Sequence, residues 1–186
     1  ETARASGKKE AQALIKPVVK ELKRRFGHAV YSTKAGCTLE QAVVELLKKK
    51  GLTVTCAESC TGGMLSARLV NVPGVSDVYR TGFVTYSNEA KHEFLKVKKS
   101  TLKKHGAVSA ETAAQMALGA ACSGKADVAA ALTGIAGPEG GTSKKPVGLV
   151  YIACSVRGKV IVKRYVFTGN RQKVREAAVA SALTLI

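Results

Sequence analysis

Tryptophan is absent from this chain of 186 residues, and aromatic side chains make up only 5% of it. That scarcity, with no recognisable helix-turn-helix, RNP or zinc-finger pattern, argues against a dedicated nucleic-acid module that stacks bases on aromatic platforms. No apolar run is long enough to span a bilayer. The basic, Ala-rich start is not a signal peptide, and no internal repeat is present. Five cysteines, an odd number without paired metal-ligand spacing, fit a reducing cytoplasm and not a disulfide framework or a metal site. Acidic residues are scarce as well, with 13 Asp and Glu against 30 Lys and Arg, leaving a formal charge of +17. The densest basic runs are Lys20-Glu21-Leu22-Lys23-Arg24-Arg25, Lys48-Lys49-Lys50 and Lys96-Val97-Lys98-Lys99. Such clusters are the electrostatic footprint of a nucleic-acid partner. They equally suit a solvated surface or a field that draws a phosphate-bearing substrate.

What is present is the pattern of one α/β domain. At 46% hydrophobic the chain can bury a single core. Residues 10–26 read as a basic amphipathic helix that Gly27 stops, and 39–50 as a second helix with Thr38 as N-cap and Gly51 after its lysine-rich end. A strand and a helix surround Ser59, and another pair surrounds Tyr86. Ser109 caps an Ala-rich helix over 110–123, and a strand ends at Thr133. Two β-branched runs, 147–156 and 159–166, joined at Arg157-Gly158, make a hairpin, and a helix over 170–185 closes the chain. Helices alternating with strands, plus one hairpin, imply an α/β fold, a three-layer α/β/α sandwich on a mixed sheet.

Three segments carry candidate chemistry. Thr55-Cys56-Ala57-Glu58-Ser59-Cys60-Thr61-Gly62-Gly63 places Ser59 on a strand-to-helix turn. At the carboxyl end of a strand, side chains project into the crevice where ligands bind. The following helix start offers N–H groups to an anion or a developing oxyanion. Gly62 and Gly63 permit close approach of a substrate to the backbone beside Thr61. Taken alone, the stretch also suits a Ser/Thr-rich helix cap, and Cys60 is a rival nucleophile. In the second segment Tyr86 closes a strand and Asn88 caps a helix whose first turn brings Lys91 back towards Tyr86. Serine needs an adjacent base, and a Lys made neutral by burial can be one. Third, Thr133 opens into Gly134-Ile135-Ala136-Gly137-Pro138-Glu139-Gly140-Gly141. This glycine-dense loop is neither a Walker motif nor a dinucleotide fingerprint, and it is either a flexible connection or a binding nest.

Six stretches, in order, carry a resemblance: Ala57-Glu58-Ser59-Cys60-Thr61-Gly62-Gly63, Tyr86-Ser87-Asn88-Glu89-Ala90-Lys91, Gly106-Ala107-Val108-Ser109, Thr133-Gly134-Ile135-Ala136-Gly137-Pro138, Lys145-Pro146-Val147-Gly148 and Phe167-Thr168-Gly169-Asn170-Arg171. From about Leu39 to the end the chain resembles the CinA C-terminal domain family. The resemblance implies a cytoplasmic nicotinamide-nucleotide amidohydrolase (NMN deamidase) of pyridine nucleotide salvage. Such an enzyme hydrolyses the carboxamide of nicotinamide mononucleotide (NMN) to nicotinate mononucleotide and ammonia. It further implies no metal or organic cofactor, and a homo-oligomer without membrane contact. Ser59, Tyr86 and Lys91 take the catalytic roles. Thr61, Gly62, Gly63, Thr133, Gly134, Gly137 and Arg171 bind substrate, with Arg171 on the phosphate. Many members carry Asp at the position of Asn170. Residues 1–34 resemble the linker that follows a larger upstream domain, with the amidohydrolase domain over 35–186, so a fragment is expected. The competing expectation is a basic nucleic-acid-associated module, linked to competence or DNA damage, without amidase activity.

Overall fold

The computed structural model describes residues 2–186, so only the first residue of the 1–34 segment lies outside it. Seven helices, α1 Lys8–Phe26, α2 Leu39–Lys50, α3 Met64–Val70, α4 Asn88–Leu95, α5 Lys99–His105, α6 Ala110–Ser123 and α7 Arg171–Leu185, accompany five strands. The strands are β1 Val54–Glu58, β2 Tyr79–Val84, β3 Val128–Gly134, β4 Leu149–Val156 and β5 Lys159–Val166. They form one sheet in the order β2-β1-β3-β4-β5, as expected a mixed sheet. β1 runs parallel to both neighbours, and β4 is antiparallel to β3 and β5.

The period of two along the central strands sorts their side chains onto two cores. Val128, Ala130 and Leu132 face one side with Val43, Val44 and Leu47 of α2, Leu65 and Leu69 of α3, and Val174, Val179 and Leu183 of α7. Ala129 and Ala131 face the other with Leu95 of α4 and Ala113, Met116, Ala117 and Ala120 of α6. The second face is lined mostly by alanine, so α6 packs close to its neighbours. A Cβ on its Gly119 would lie 1.9 Å from the Leu95 carbonyl oxygen, a contact only glycine permits. Both layers therefore lie on a sheet whose middle is fully buried, and the chain is a three-layer α/β/α sandwich.

Local signals account for most boundaries. Thr38 and Gln41 form a capping box on α2, Gly51 ends it at φ 62°, and Asn170 and Ser109 cap α7 and α6. The hairpin turns at Arg157 and Gly158, both at positive φ, as a two-residue loop of right-twisted strands requires. Other boundaries differ from the sequence reading. β2 stops at Val84, leaving Tyr86 in the connection, and the cap of α4 is Ser87, whose hydroxyl accepts from the Ala90 N–H at 3.1 Å, and not Asn88. β4 begins at Leu149, because Val147-Gly148 forms the turn before it. α5 starts at the last residue of the basic run Lys96-Val97-Lys98-Lys99. Its sequence carries three lysines, a histidine and only Leu102 as a large apolar residue, so no amphipathic stripe announces it. No helix among the described residues is long and apolar enough to cross a membrane.

Candidate active site at the carboxyl ends of β1 and β3

The chain leaves the parallel neighbours β1 and β3 in opposite directions, to β2 on one side and to β4 on the other, which opens a crevice at their carboxyl ends. Ser59 is the first residue beyond β1, tied to β3 by its N–H donating to the Leu132 carbonyl at 3.0 Å. The preceding residue, Glu58, is fully buried. Its carboxylate accepts from the N–H groups of Gly63 and Leu65 at 3.0 Å each, from Ser66 N–H at 2.8 Å and from Ser66 Oγ at 2.7 Å. Three first-turn donors of α3 that the sequence reading left open to an anion are therefore taken by the protein's own carboxylate. From the neighbouring helix of the same layer, Arg175 of α7 donates to the carbonyls of Cys60, at 3.1 Å, and Thr61, at 2.8 Å. The turn holding Ser59 is thus clamped from inside by an anion and from outside by a cation.

Lys91, on the first turn of α4, is fully buried, with no measurable exposure. Its Nζ lies 3.0 Å from Ser59 Oγ, 2.8 Å from the Thr85 carbonyl and 3.2 Å from the Tyr86 carbonyl. Burial pulls its pKa down from the ordinary 10.5 to about 8, against the opposing pull of Cys60 and Glu89. An ammonium donates to all three oxygens. The neutral amine spends its two N–H groups on the carbonyls, which leaves the lone pair for the Ser59 hydroxyl proton. Cys60 beside it is buried, and its thiol is pushed up to about 11 by desolvation, away from the reactive thiolate.

A cleft of about 270 Å³ opens on this pair, lined by Ser59, Cys60, Tyr86, Lys91, Thr133, Gly134, Gly137, Glu139 and Arg171 among others. Ala107 and Val108 complete one wall. Thr133 Oγ1 holds the Ala107 carbonyl at 2.7 Å, and Lys145 Nζ holds those of His105 and Val108 at 2.7 Å each. Gly137, at φ 83°, passes so close to Val147 that a Cβ would sit 2.6 Å from its Cγ1. Arg171 closes the rim by donating to the Gly137 carbonyl at 2.9 Å and to Tyr86 Oη at 3.3 Å. Tyr86 is 64% exposed and meets Lys91 through its backbone carbonyl, not its phenol.

Of the residues singled out in the sequence, Ser59, Tyr86, Lys91, Thr133, Gly134, Gly137 and Arg171 meet at this cleft, whereas Thr61, Gly62 and Gly63 are not among its lining residues. Thr61 is fully buried with no hydrogen-bond partner for its hydroxyl, the Gly62 N–H closes the turn onto the Ser59 carbonyl at 3.1 Å, and Gly63 serves Glu58. Glu58, Arg175, Lys145 and Glu139 were not anticipated. Arg175 stands one helical turn beyond Arg171, a spacing that puts both on one face of α7. Glu58 and Lys145 lie in stretches that carry the resemblance and Glu139 in the glycine-dense loop, but their residue types alone assign them no partner. Among the described residues, no group of three or more His, Cys, Asp or Glu side chains is placed to hold a metal ion.

Residues 37–186 match the CinA C-terminal domain family. A CinA-like protein of Kosmotoga olearia is 49% identical over 185 residues, which cover 100% of this chain and 45% of that protein. One from Dictyoglomus turgidum is 47% identical with the same coverage. The chain therefore spans about half the length of the curated relatives it matches. Among solved structures, a competence/damage inducible protein from Agrobacterium tumefaciens superposes with TM-score 0.77 at 44% identity, over 79% of this chain and 90% of that one. A CinA superfamily protein from Escherichia coli gives TM-score 0.76 at 35% identity, over 86% and 98%. The cleft at Ser59 and Lys91 therefore belongs to a member of the CinA C-terminal domain family.

Proposed function

We propose that the chain hydrolyses the carboxamide of nicotinamide mononucleotide, releasing ammonia and nicotinate mononucleotide, with Ser59 as nucleophile and Lys91 as its base. The observation that carries the reading is the buried Lys91 amine 3.0 Å from Ser59 Oγ, with both of its other contacts made to carbonyls. A neutral amine in that position accepts the serine proton as Oγ attacks the amide carbon. The resulting ammonium returns the proton to the departing nitrogen, so ammonia leaves and an ester to Ser59 remains. Water then attacks the ester, gives its proton to Lys91, and Ser59 recovers its own as the carboxylate product departs. Tyr86, at the rim, shares the handling of the leaving-group proton. The N–H group of Cys60, a lining residue that donates to no backbone carbonyl among the described residues, is assigned the developing oxyanion. Arg171 has N–H groups beyond the two it spends at the rim and is assigned the substrate phosphate.

The decisive experiment follows ammonia and nicotinate mononucleotide formed from NMN by the purified protein, freed of nucleic acid. Ser59→Ala should lower the rate by about a thousandfold or more, as loss of a serine nucleophile does, while Cys60→Ala keeps substantial activity. Near wild-type turnover by Ser59→Ala removes the covalent mechanism, and a loss confined to Cys60→Ala makes the enzyme a thiol hydrolase. A nucleic-acid reading has one observation behind it, the charge of +17 with Lys20, Lys23, Arg24 and Arg25 exposed on α1. It is favoured if the protein binds DNA or RNA tightly at physiological salt and releases no ammonia.

A further inference from the structure

The cleft holds one ionised group that the reaction above leaves unused. Glu139 lines it at the exposed rim, together with Ser59, Lys91 and Arg171. Acidic residues number 13 against 30 basic ones, yet among the described residues this carboxylate forms no ion pair. The cation that shares its cleft, Arg171, is turned to the Gly137 carbonyl and Tyr86 Oη instead. Two opposite charges that face one small cleft without neutralising each other match a ligand that carries both signs.

We infer that Glu139 is a specificity-determining residue that reads the positive charge of an N-ribosylated pyridinium ring, while Arg171 reads its phosphate. The inference rests on the deamidase reading of the same cleft and adds to it a reason for preferring zwitterionic substrates. Free nicotinamide has the same carboxamide but neither charge. Nicotinamide riboside has the ring charge alone. The reduced, 1,4-dihydro form of the mononucleotide keeps the amide, sugar and phosphate and loses only the ring charge, so it isolates the contribution of Glu139.

The test is calorimetric binding to the full chain carrying Ser59→Ala, which prevents turnover, with and without Glu139→Gln or Glu139→Lys. At low salt Glu139→Gln should weaken NMN binding roughly three- to fivefold, the upper part of the range of a solvent-exposed ion pair, and leave the dihydro form within about twofold. Nicotinamide riboside should lose affinity in parallel with NMN. Glu139→Lys should weaken NMN further, since a cation then faces the ring charge, and should cost the dihydro form no comparable affinity. Equal losses on oxidised and reduced mononucleotide, or none on either, overturn the inference. If the unmodified chain still releases ammonia from NMN in that case, the deamidase reading stands without it. If neither mononucleotide binds and no ammonia is released, both fall together.

Discussion

Lys91 concentrates the conflict between stability and chemistry in one side chain. Its amine is fully buried and has its pKa lowered from 10.5 to about 8 by desolvation. The neutral form, to which the proposed mechanism gives the Ser59 proton, is therefore already substantial just above neutrality, and kcat/KM should rise with pH and level off above about 8. Lys91→Arg, which keeps its proton throughout this range, should be nearly as inactive as Lys91→Ala. An active Lys91→Arg would reduce Lys91 to an electrostatic anchor. The same shift has a sign for folding. Between about 8 and 10.5 the unfolded chain binds the proton that the folded one has lost, so stability rises with pH across that window. Relative to Lys91→Met, which has nothing to titrate, the wild-type chain should gain on the order of 3 kcal/mol from pH 7 to pH 10.5, at about 1.4 kcal/mol per pKa unit. Denaturant melts of the two proteins at a series of pH values measure this directly. Parallel curves would show that the buried amine does not titrate as its surroundings dictate.

The turn between β1 and α3 shows which parts of such a site can be read from residues in a row and which cannot. That Ser59 lies on the turn between a strand and a helix follows from the apolar run before it and the helical spacing of Leu65 and Leu69 after it. Lys91 is legible too, because α4 follows β2 closely and its first turn faces back. Its carbonyl partners are not, since Thr85 and Tyr86 act through backbone that any residue type supplies. Nor does the sequence tell that Glu58, next to Ser59, turns away from the cleft to cap α3, or that Arg175 grips the turn from α7, 115 residues away. Such contacts exist only once the layers are stacked. α5 escaped notice for the converse reason, that its lysines outnumber its apolar residues. The Glu58 cap is testable at this scale. Glu58→Gln keeps the shape but faces an NH2 group toward N–H donors that now meet an oxygen. It should destabilise the protein by about 1 to 3 kcal/mol, as buried donors left unpaired do. It should also lower kcat more than KM, because Ser59 loses its fixed position and not a binding contact. A variant with wild-type kcat and lowered stability would confine Glu58 to folding.

Over the whole molecule the charge of +17 need not act where the chemistry is. Lys48, Lys49 and Lys50 end α2 and precede β1 at its amino end, whereas Ser59 lies beyond its carboxyl end. Five residues of strand at about 3.3 Å each separate the two ends by roughly 17 Å, about twice the screening length of about 8 Å at physiological ionic strength. Lys48 is moreover ion-paired with Asp77 at 2.8 Å. Arg171, by contrast, lines the cleft itself. Neutralising the three lysines together should therefore leave kcat unchanged and raise KM for NMN only at low salt, where long-range steering survives. Arg171→Ala should raise KM for NMN at every salt concentration, by about ten- to a hundredfold for a charge-assisted phosphate contact. The kinetics on nicotinamide riboside should hardly change, since that compound has no phosphate for Arg171 to hold. Steady-state kinetics of both variants on both substrates, at low and physiological salt, separate the field of the surface from the charge of the site. Equal losses on nucleotide and riboside in Arg171→Ala would assign Arg171 to the Gly137 loop and Tyr86, which it already touches. A lysine triple variant that kept its amidase activity and lost tight DNA or RNA binding would place a second, nucleic-acid function on the face opposite the cleft.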